Sequence, residues 1–228
     1  MKGPYSHGAN IYKKEIAKSK SGTLTDQGIR AVLEPYDVAL TDTQVEAVRR
    51  YLSMLIIWNQ KLSLTALTDP QEILRRHFGE SLFALRALPI SIGRLADVGS
   101  GAGFPGLALK VGRPELDVVL IEPNSKKTVF LAEVSRVLGV SIQIKRGRFE
   151  ELAAEERTFD FITARALGDP HSLLKWSFGA LKEDGLVVLW LGRQGAEELF
   201  ATTAWAWRKP IPIPESRRRV LLVGKPAK

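Results

Sequence analysis

The chain contains no cysteine. That one absence excludes disulfides, thiolate metal ligands and a cysteine nucleophile. No apolar run approaches the roughly 20 residues that cross a bilayer, so no membrane association is expected. Near the start, Lys13, Lys14, Lys18 and Lys20 have no hydrophobic stretch behind them. They do not form a secretory signal, and the cytoplasm is the expected compartment. No cluster of His, Asp and Glu has metal-ligand spacing, so no metal is expected. Internal repeats are also missing. Acidic residues run short as well: 25 Asp and Glu face 33 Lys and Arg, a formal net charge of +8. Such a surplus suits a polyanionic partner, because neutralising phosphates releases counterions and speeds encounter.

What is present is an ordinary globular balance, with 228 residues of which 45% are hydrophobic. This is enough for one α/β domain and a small addition. Residues 1–22 are rich in Gly, Ser and Lys and are expected to form a flexible basic arm. Residues 23–90 have a helical pattern. Thr41 and Gln44 form a capping-box signature, and Val45, Val48, Leu52, Leu55 and Ile56 recur at helical spacing. Asp69-Pro70 is a second helix start. From residue 91 to 228 the character changes. Short apolar strands at Leu95–Val98, Leu116–Ile121, Ser141–Lys145, Phe159–Thr163 and Gly185–Trp190 alternate with helical stretches. The order βαβ implies a parallel sheet. Ala204–Ile213 and Ser216–Val223, joined at Pro214-Glu215, are expected to form an antiparallel hairpin. Trp205 and Trp207 alternate there, which predicts packing on one sheet face. The expected fold is therefore Rossmann-like: a mostly parallel, seven-stranded sheet with a C-terminal antiparallel hairpin and an N-terminal helical extension.

Asp97-Val98-Gly99-Ser100-Gly101-Ala102-Gly103-Phe104-Pro105-Gly106 is the most informative segment. Its glycines let the backbone turn off a strand and approach a ligand closely. The helix that follows offers free N–H groups and its positive end. Asp97 is placed to accept a hydrogen bond from an ammonium group or from the loop itself. Gly101, Gly103 and Gly106 also satisfy the dinucleotide fingerprint, and Glu122 lies at the spacing of a ribose-binding acid. The fingerprint alone does not separate a nicotinamide from S-adenosylmethionine. Three features favour S-adenosylmethionine: the acid just before the first glycine, the helical preface ahead of the motif, and the lack of a downstream substrate domain. A nicotinamide-dependent oxidoreductase remains the alternative, and a non-catalytic ribosomal RNA-binding or assembly protein is a second. Arg148-Phe149-Glu150, after the third strand, stands where an adenine is usually framed.

The run Trp58-Asn59-Gln60-Lys61-Leu62-Ser63-Leu64-Thr65-Ala66, followed by Asp69-Pro70, Arg76-His77-Phe78 and Ser81-Leu82, resembles the helical preface of the RsmG (GidB) family. Asp97 to Gly106 is similar to that family's glycine loop, including the Pro105-Gly106 exit. Phe159-Asp160 and Ala164-Arg165-Ala166 resemble its fourth-strand motif. The resemblance implies a class I S-adenosylmethionine methyltransferase acting on 16S ribosomal RNA or the small ribosomal subunit. It implies transfer to ring nitrogen 7 of one guanine, conventionally position 527, in the 530 loop. Carried over residue by residue, Gly99, Phe104, Phe149, Glu150 and Arg165 look like the family's cofactor contacts. Two positions depart from the family: Ser63, where Asn is common, and Ala164, where Ser is common.

Ring nitrogen 7 has a free lone pair, so no proton has to leave before attack, and alignment supplies the catalysis. The sequence agrees by omission, since it has no Asn/Asp-Pro-Pro-aromatic motif of exocyclic-amine enzymes. Arg165 is the expected catalytic-site arginine, orienting the base, a phosphate or the cofactor. Arg76 and His77 are candidates for the mouth of the site, and Lys126, Arg148 and Arg193 are candidates for RNA phosphates. The protein is expected to act as a monomer.

Overall fold

The computed structural model describes residues 25–151, 158–166, 168–202 and 204–227. The basic arm expected over residues 1–22 lies outside them. The first helices begin at side-chain caps. Helix α1 (Asp26–Leu33) starts at Thr25, whose hydroxyl accepts from the Gly28 N–H. Helix α2 (Asp42–Leu62) starts at Thr41, and both halves of the capping box with Gln44 are formed. Asp69 caps α3 (Pro70–Ile73) through the Glu72 N–H. A π-helical stretch, Leu74–Gly79, then leads directly into α4 (Glu80–Ala87). Turns of this wider type often occur at functional sites. Here the turn delivers Arg76, His77 and Phe78 in succession.

The sheet starts with β1 (Gly93–Val98) and continues through β2 (Leu116–Ile121), β3 (Gln143–Lys145), β4 (Phe159–Arg165) and β5 (Leu181–Gly192). Between these strands lie α5 (Gly106–Gly112), α6 (Ser125–Leu138) and α7 (Pro170–Ala180). Helix α8 (Arg193–Phe200) follows, then β6 (Trp205–Trp207), β7 (Ile211–Pro212) and β8 (Arg219–Pro226). The strand order is β3-β2-β1-β4-β5-β8-β6, with β7 also on β8. β1 to β5 are mutually parallel, and β8 runs antiparallel to β5, β6 and β7.

The sheet has eight strands, one more than expected. The extra strand arises because the predicted run Ala204–Ile213 is interrupted. Trp205–Trp207 and Ile211–Pro212 pair with successive parts of the same β8 edge. Pro210 and Pro212 have no N–H to donate, so the ladder cannot run through unbroken. The two pieces share one position in the sheet. Helix α8 was not anticipated. It has no side-chain cap at Gly192, contains Gly195, and buries only Ala196 and Leu199. Trp205 and Trp207 do pack together, with ring centroids 5.5 Å apart and planes at 24°.

Alternate residues of each strand feed two cores. Leu95, Val118, Leu120, Val188 and Trp190 face α5, α6 and the whole helical preface. Ala96, Val98, Val119, Ile162, Val187 and Leu189 face α7 and α8. The preface shares the first core with the sheet, and Tyr36, Tyr51 and Phe78 are among its largest fully buried side chains. The indole N–H of Trp190 donates to the Glu80 carbonyl at 2.8 Å, pinning α4 to β5.

β1 and β4 are adjacent, and the chain leaves them toward opposite sides. Ligands of open α/β sheets bind outside the carboxyl ends of the strands at such a switch point. Asp97 is the penultimate residue of β1 and Arg165 closes β4, so both stand at that crevice.

Ser63 ends α2 with φ 46°, a left-handed conformation that Asn tolerates better than Ser. Ser63→Asn should therefore raise unfolding stability by about 0.5–1 kcal/mol. Urea unfolding measures this directly, and an unchanged or lower midpoint would show that Ser63 is unstrained there.

Candidate cofactor and acceptor site

The loop leaving β1 is tied down at almost every residue. The Gly99 and Ser100 N–H groups donate to the Ile121 carbonyl at 2.9 and 3.2 Å. Those of Gly103 and Phe104 donate to the Ser100 carbonyl at 2.7 and 3.0 Å. Gly99, Gly101 and Gly103 all adopt positive φ, at 70°, 56° and 92°. At two glycines the constraint is space. A Cβ on Gly106 would lie 2.5 Å from the Asp97 Cβ, so α5 starts pressed against β1. One on Gly103 would lie 2.2 Å from the Tyr51 hydroxyl.

Asp97 is fully buried beneath this loop. One carboxylate oxygen accepts from the Gly106 N–H at 3.0 Å, and the other accepts from the Thr163 hydroxyl at 3.0 Å. Of the two roles open to it in the sequence, Asp97 fills that of internal strut for the loop. Burial pushes its pKa up to about 6, the hydrogen bonds from Gly106, Thr163 and Ser100 oppose the rise, and the nearby Glu122 charge adds to it.

Glu122 is 4% exposed at the end of β2. Its oxygens accept from the Gly101 N–H at 2.8 Å and the Asn124 N–H at 2.9 Å. It thus braces the loop from the second strand. An ionised carboxylate offers about four acceptor directions, so two ribose hydroxyls still fit alongside these N–H groups. Phe149 is 8% exposed, edge-on to Trp176 with centroids 5.5 Å apart, and forms an apolar wall beyond β3. Glu150 is exposed on the short turn Phe149–Glu151.

The preface forms the back of the loop. Phe104 is sandwiched between Tyr51 (5.1 Å, planes at 5°) and His77 (4.8 Å, 17°), with Phe78 edge-on at 5.0 Å. The Tyr51 hydroxyl donates to the Ala102 carbonyl at 2.5 Å. The His77 Nε2 lies 2.8 Å from the Thr65 hydroxyl, while its buried Nδ1 has no partner among the described residues. Burial, followed by the charges of Arg165 and Arg76, pushes the His77 pKa down to about 3. The imidazole is therefore neutral at physiological pH and serves as an aromatic wall of the site.

Across the crevice, Arg165 meets Glu80 at 3.5 Å, the arginine side chain 14% exposed and the glutamate 1%. The other Glu80 oxygen accepts from the Arg219 Nε at 2.8 Å and lies 2.5 Å from its Nη2. Burial lowers the pKa of Arg165, and Glu80 is the charge that opposes this. A buried carboxylate shared by two guanidinium groups holds its arginines firmly, because removing it would leave charge unpaired away from water. The Arg165 Nη1 and Arg76 Nε remain buried without partners among the described residues. Each is a donor that the protein itself leaves unused.

The structure thus brings Asp97, Gly99, Gly101, Gly103, Phe104, Glu122, Arg165, Arg76 and His77 around one crevice. Lys126 and Arg148 lie on its β2–β3 flank, at the start of α6 and after β3. Arg193 lies on its far flank, where its backbone N–H and Nε donate to the Arg218 and Arg217 carbonyls. Tyr51, Thr163 and Glu80 were not anticipated, and each acts on a residue distant in the chain. The boxed spacing of Arg76-His77 and Glu80 on one continuous helix was the available signal for Glu80. Among the described residues, no group of three or more His, Asp or Glu is placed to hold a metal ion.

Residues 44–209 match the family model described as GidB, rRNA small subunit methyltransferase G. The chain is similar to ribosomal RNA small subunit methyltransferase G of Lactococcus lactis subsp. cremoris (strain MG1363), 35% identical over 185 residues that cover 77% of this chain and 76% of the relative. It is likewise similar to that of Halorhodospira halophila, 39% identical over 168 residues covering 73% and 78%. Among solved structures, it is similar to a SAM dependent methyltransferase from Aquifex aeolicus (TM-score 0.59, 14% identity, 71% of this chain and 96% of that one). A methyltransferase from Pyrococcus furiosus gives a TM-score of 0.56 at 15% identity, covering 76% and 94%. At these identities the structural likenesses show the fold.

Asp97→Asn can keep both hydrogen bonds, because its amide oxygen accepts from Gly106 and its nitrogen donates to the Thr163 hydroxyl. In the wild type, the pKa of about 6 stands above the ordinary 3.8, so folding takes up a proton between these values. The contribution of Asp97 to stability is full at low pH and falls as pH rises through that window. The stability of Asp97→Asn relative to wild type should climb from about pH 4 to about pH 6 and then level off. Urea unfolding across pH tests this, and parallel profiles for the two proteins would contradict it.

Proposed function

The chain belongs to the rRNA small subunit methyltransferase G (GidB) family, and from that premise we propose that it transfers a methyl group to ring nitrogen 7 of one guanine in the 530 loop of 16S ribosomal RNA. Membership makes it an S-adenosylmethionine-dependent ribosomal RNA methyltransferase and closes the nicotinamide alternative that the glycine fingerprint leaves open. The residues present suit the cofactor. The braced loop offers close backbone approach, Glu122 has acceptor capacity for the ribose, and Phe149 offers an apolar surface for the adenine.

The observation that supports nitrogen 7 is the character of the acceptor side. Both Asp97 oxygens are occupied by Gly106 and Thr163, Glu80 is shared by Arg165 and Arg219, and His77 is neutral and buried. None of the three is a ready general base: the carboxylates are held in these hydrogen bonds and ion pairs, and His77, its pKa pushed down to about 3, is a weak base. An amine or hydroxyl acceptor would need such a base, whereas nitrogen 7 attacks through its own lone pair. The cofactor supplies an electrophilic methyl group on a sulfonium. The chain's task is alignment: the loop fixes one partner, and Arg165, held by Glu80, orients the other. Its guanidinium, 14% exposed, suits guanine oxygen 6 or an adjacent phosphate, leaving nitrogen 7 open.

Where the family commonly has Ser, this chain has the methyl group of Ala164. Ala164 is 2% exposed and packs in the second core with Val98 and Leu189. Arg76, Lys126, Arg148 and Arg193 are proposed to meet RNA phosphates around the crevice, and the protein to act as a monomer. No described helix is long and apolar enough to cross a membrane.

Mass mapping of small-subunit RNA after incubation with the protein and S-adenosylmethionine tests the assignment. One 7-methylguanine in the 530 loop is expected, and a methyl group on another atom would overturn the nitrogen 7 reading. Arg165→Ala should cut transfer at least about a hundredfold, the scale of losing an oriented charge at a reaction centre. Full activity would remove Arg165 from the site. Glu122→Ala should raise the Kd for S-adenosylhomocysteine about tenfold or more, as expected for lost hydrogen bonds to a charged group. An unchanged Kd in calorimetry would count against its ribose role.

A further inference from the structure

A groove of about 310 Å³ runs along the outside of α8. Its floor is apolar, with Ala196 (1% exposed), Val220 (2% exposed) and the prolines at 210 and 212. Arg193, Glu197 and Phe200 stand along one wall and Lys209 on the other. Arg193, Ala196, Glu197 and Phe200 share one helix face, which rises about 10 Å over the seven steps from Arg193 to Phe200.

The direction of this groove is set by the sheet. Gly192, just before α8, pairs with Arg219, and Arg165 pairs with Trp190 two residues earlier. The Arg193 end therefore opens at the catalytic edge, beside the Glu80–Arg165–Arg219 cluster. From there β8 runs away from that edge, with Pro212 opposite Val220 and Trp207 opposite Gly224, so Lys209 lies farther down. Phe200, the last residue of α8, closes the far end and is 46% exposed, one of the few large apolar side chains left open.

Charge points to the occupant. Arg193, Lys209, Arg217 and Arg218 are exposed, and none enters an ion pair among the described residues. The Arg193 N–H groups hold the Arg217 and Arg218 backbone carbonyls, so the exposed Arg217 and Arg218 adjoin the Arg193 end of the groove in the chain. An apolar slot with an exposed aromatic ring, flanked by free cations, suits a single nucleic-acid strand: bases stack on the ring and phosphates meet the cations. Glu197, the one acid among the lining residues, can accept from the exocyclic amine of a base.

We infer that this groove binds the single-stranded RNA flanking the target guanine, with a base stacked on Phe200 and phosphates held by Arg193 and Lys209. The inference rests on RNA being the substrate. Leading the flanking strand away from the catalytic edge would leave the target nucleotide extruded over Arg165.

Fluorescence anisotropy with a protein-free 16S rRNA fragment containing the 530 loop tests this, alongside the KM for small ribosomal subunits. Phe200→Ala should raise both the RNA Kd and the KM about tenfold, within the range for losing one stacked base. Phe200→Trp should restore both, and the affinity for S-adenosylhomocysteine should hold at the wild-type value. Lys209→Ala should reduce the slope of log affinity against log salt by about 0.7, the value for one single-strand phosphate contact. Wild-type RNA affinity in Phe200→Ala would overturn the inference. So would a KM that rises for particles while the RNA Kd does not, since the occupant would then be a ribosomal protein. Failure of the wild-type chain to methylate either the RNA or small subunits would overturn the substrate assignment, and the groove with it; methylation of particles with no binding of the protein-free RNA would overturn the groove alone.

Discussion

The carboxylate of Asp97 is the contact on which the rest of the site depends. It is fully buried, which is costly for an ionisable group unless hydrogen bonds compensate. Its two oxygens face different elements: one accepts from the start of α5 at Gly106, the other from Thr163 on β4. One residue of β1 thus fixes the helix that follows the loop and the strand across the switch point. The absence of a side chain at Gly106 lets α5 come close enough for this bond to form. Glu122 repeats the device from β2, accepting from Gly101 and from the start of α6 at Asn124. A loop that must present bare backbone to a ligand is held by two acids from beneath and from the side.

The helical preface completes the brace from the other direction. Tyr51 reaches the Ala102 carbonyl and stacks on Phe104, and His77 covers the opposite face of the same ring. Without these helices, Phe104 would lose its apolar shelter and the loop its back wall. The preface also provides Glu80, which gathers Arg165 from β4 and Arg219 from β8. The extension therefore reaches the glycine loop through Tyr51 and the Arg165 cluster through Glu80. Its core is continuous with one face of the sheet for the same reason. Such an arrangement suits a reaction whose main demand is alignment.

Much of this was legible in the sequence where the signal is local. The capping residues Thr41 and Asp69 begin helices as expected, and β2 spans Leu116–Ile121 as the apolar run suggests. The glycine loop declared the ligand-binding edge. Less visible were contacts between distant residues. Arg219 and Glu80 are 139 positions apart, and Tyr51 and Ala102 are 51 apart, so no pattern in a short window links them. Helix α8 escaped notice because it lacks a side-chain cap and contains a glycine. The split of the last edge strand into β6 and β7 follows from prolines whose effect depends on which neighbour they face. Arg165 stood out through family resemblance, and only the fold explains it, by placing its guanidinium on a buried acid.

If these braces are what shape the loop, the loop is formed before any cofactor arrives. Amide hydrogen exchange of the cofactor-free protein measures this at the residues concerned. The Gly106 and Gly101 N–H groups, donated to Asp97 and Glu122, should be protected at levels close to those of neighbouring β1 amides, with little gain on adding S-adenosylhomocysteine. Rapid exchange of both amides until the ligand is added would show that the cofactor orders the loop, and would contradict the account.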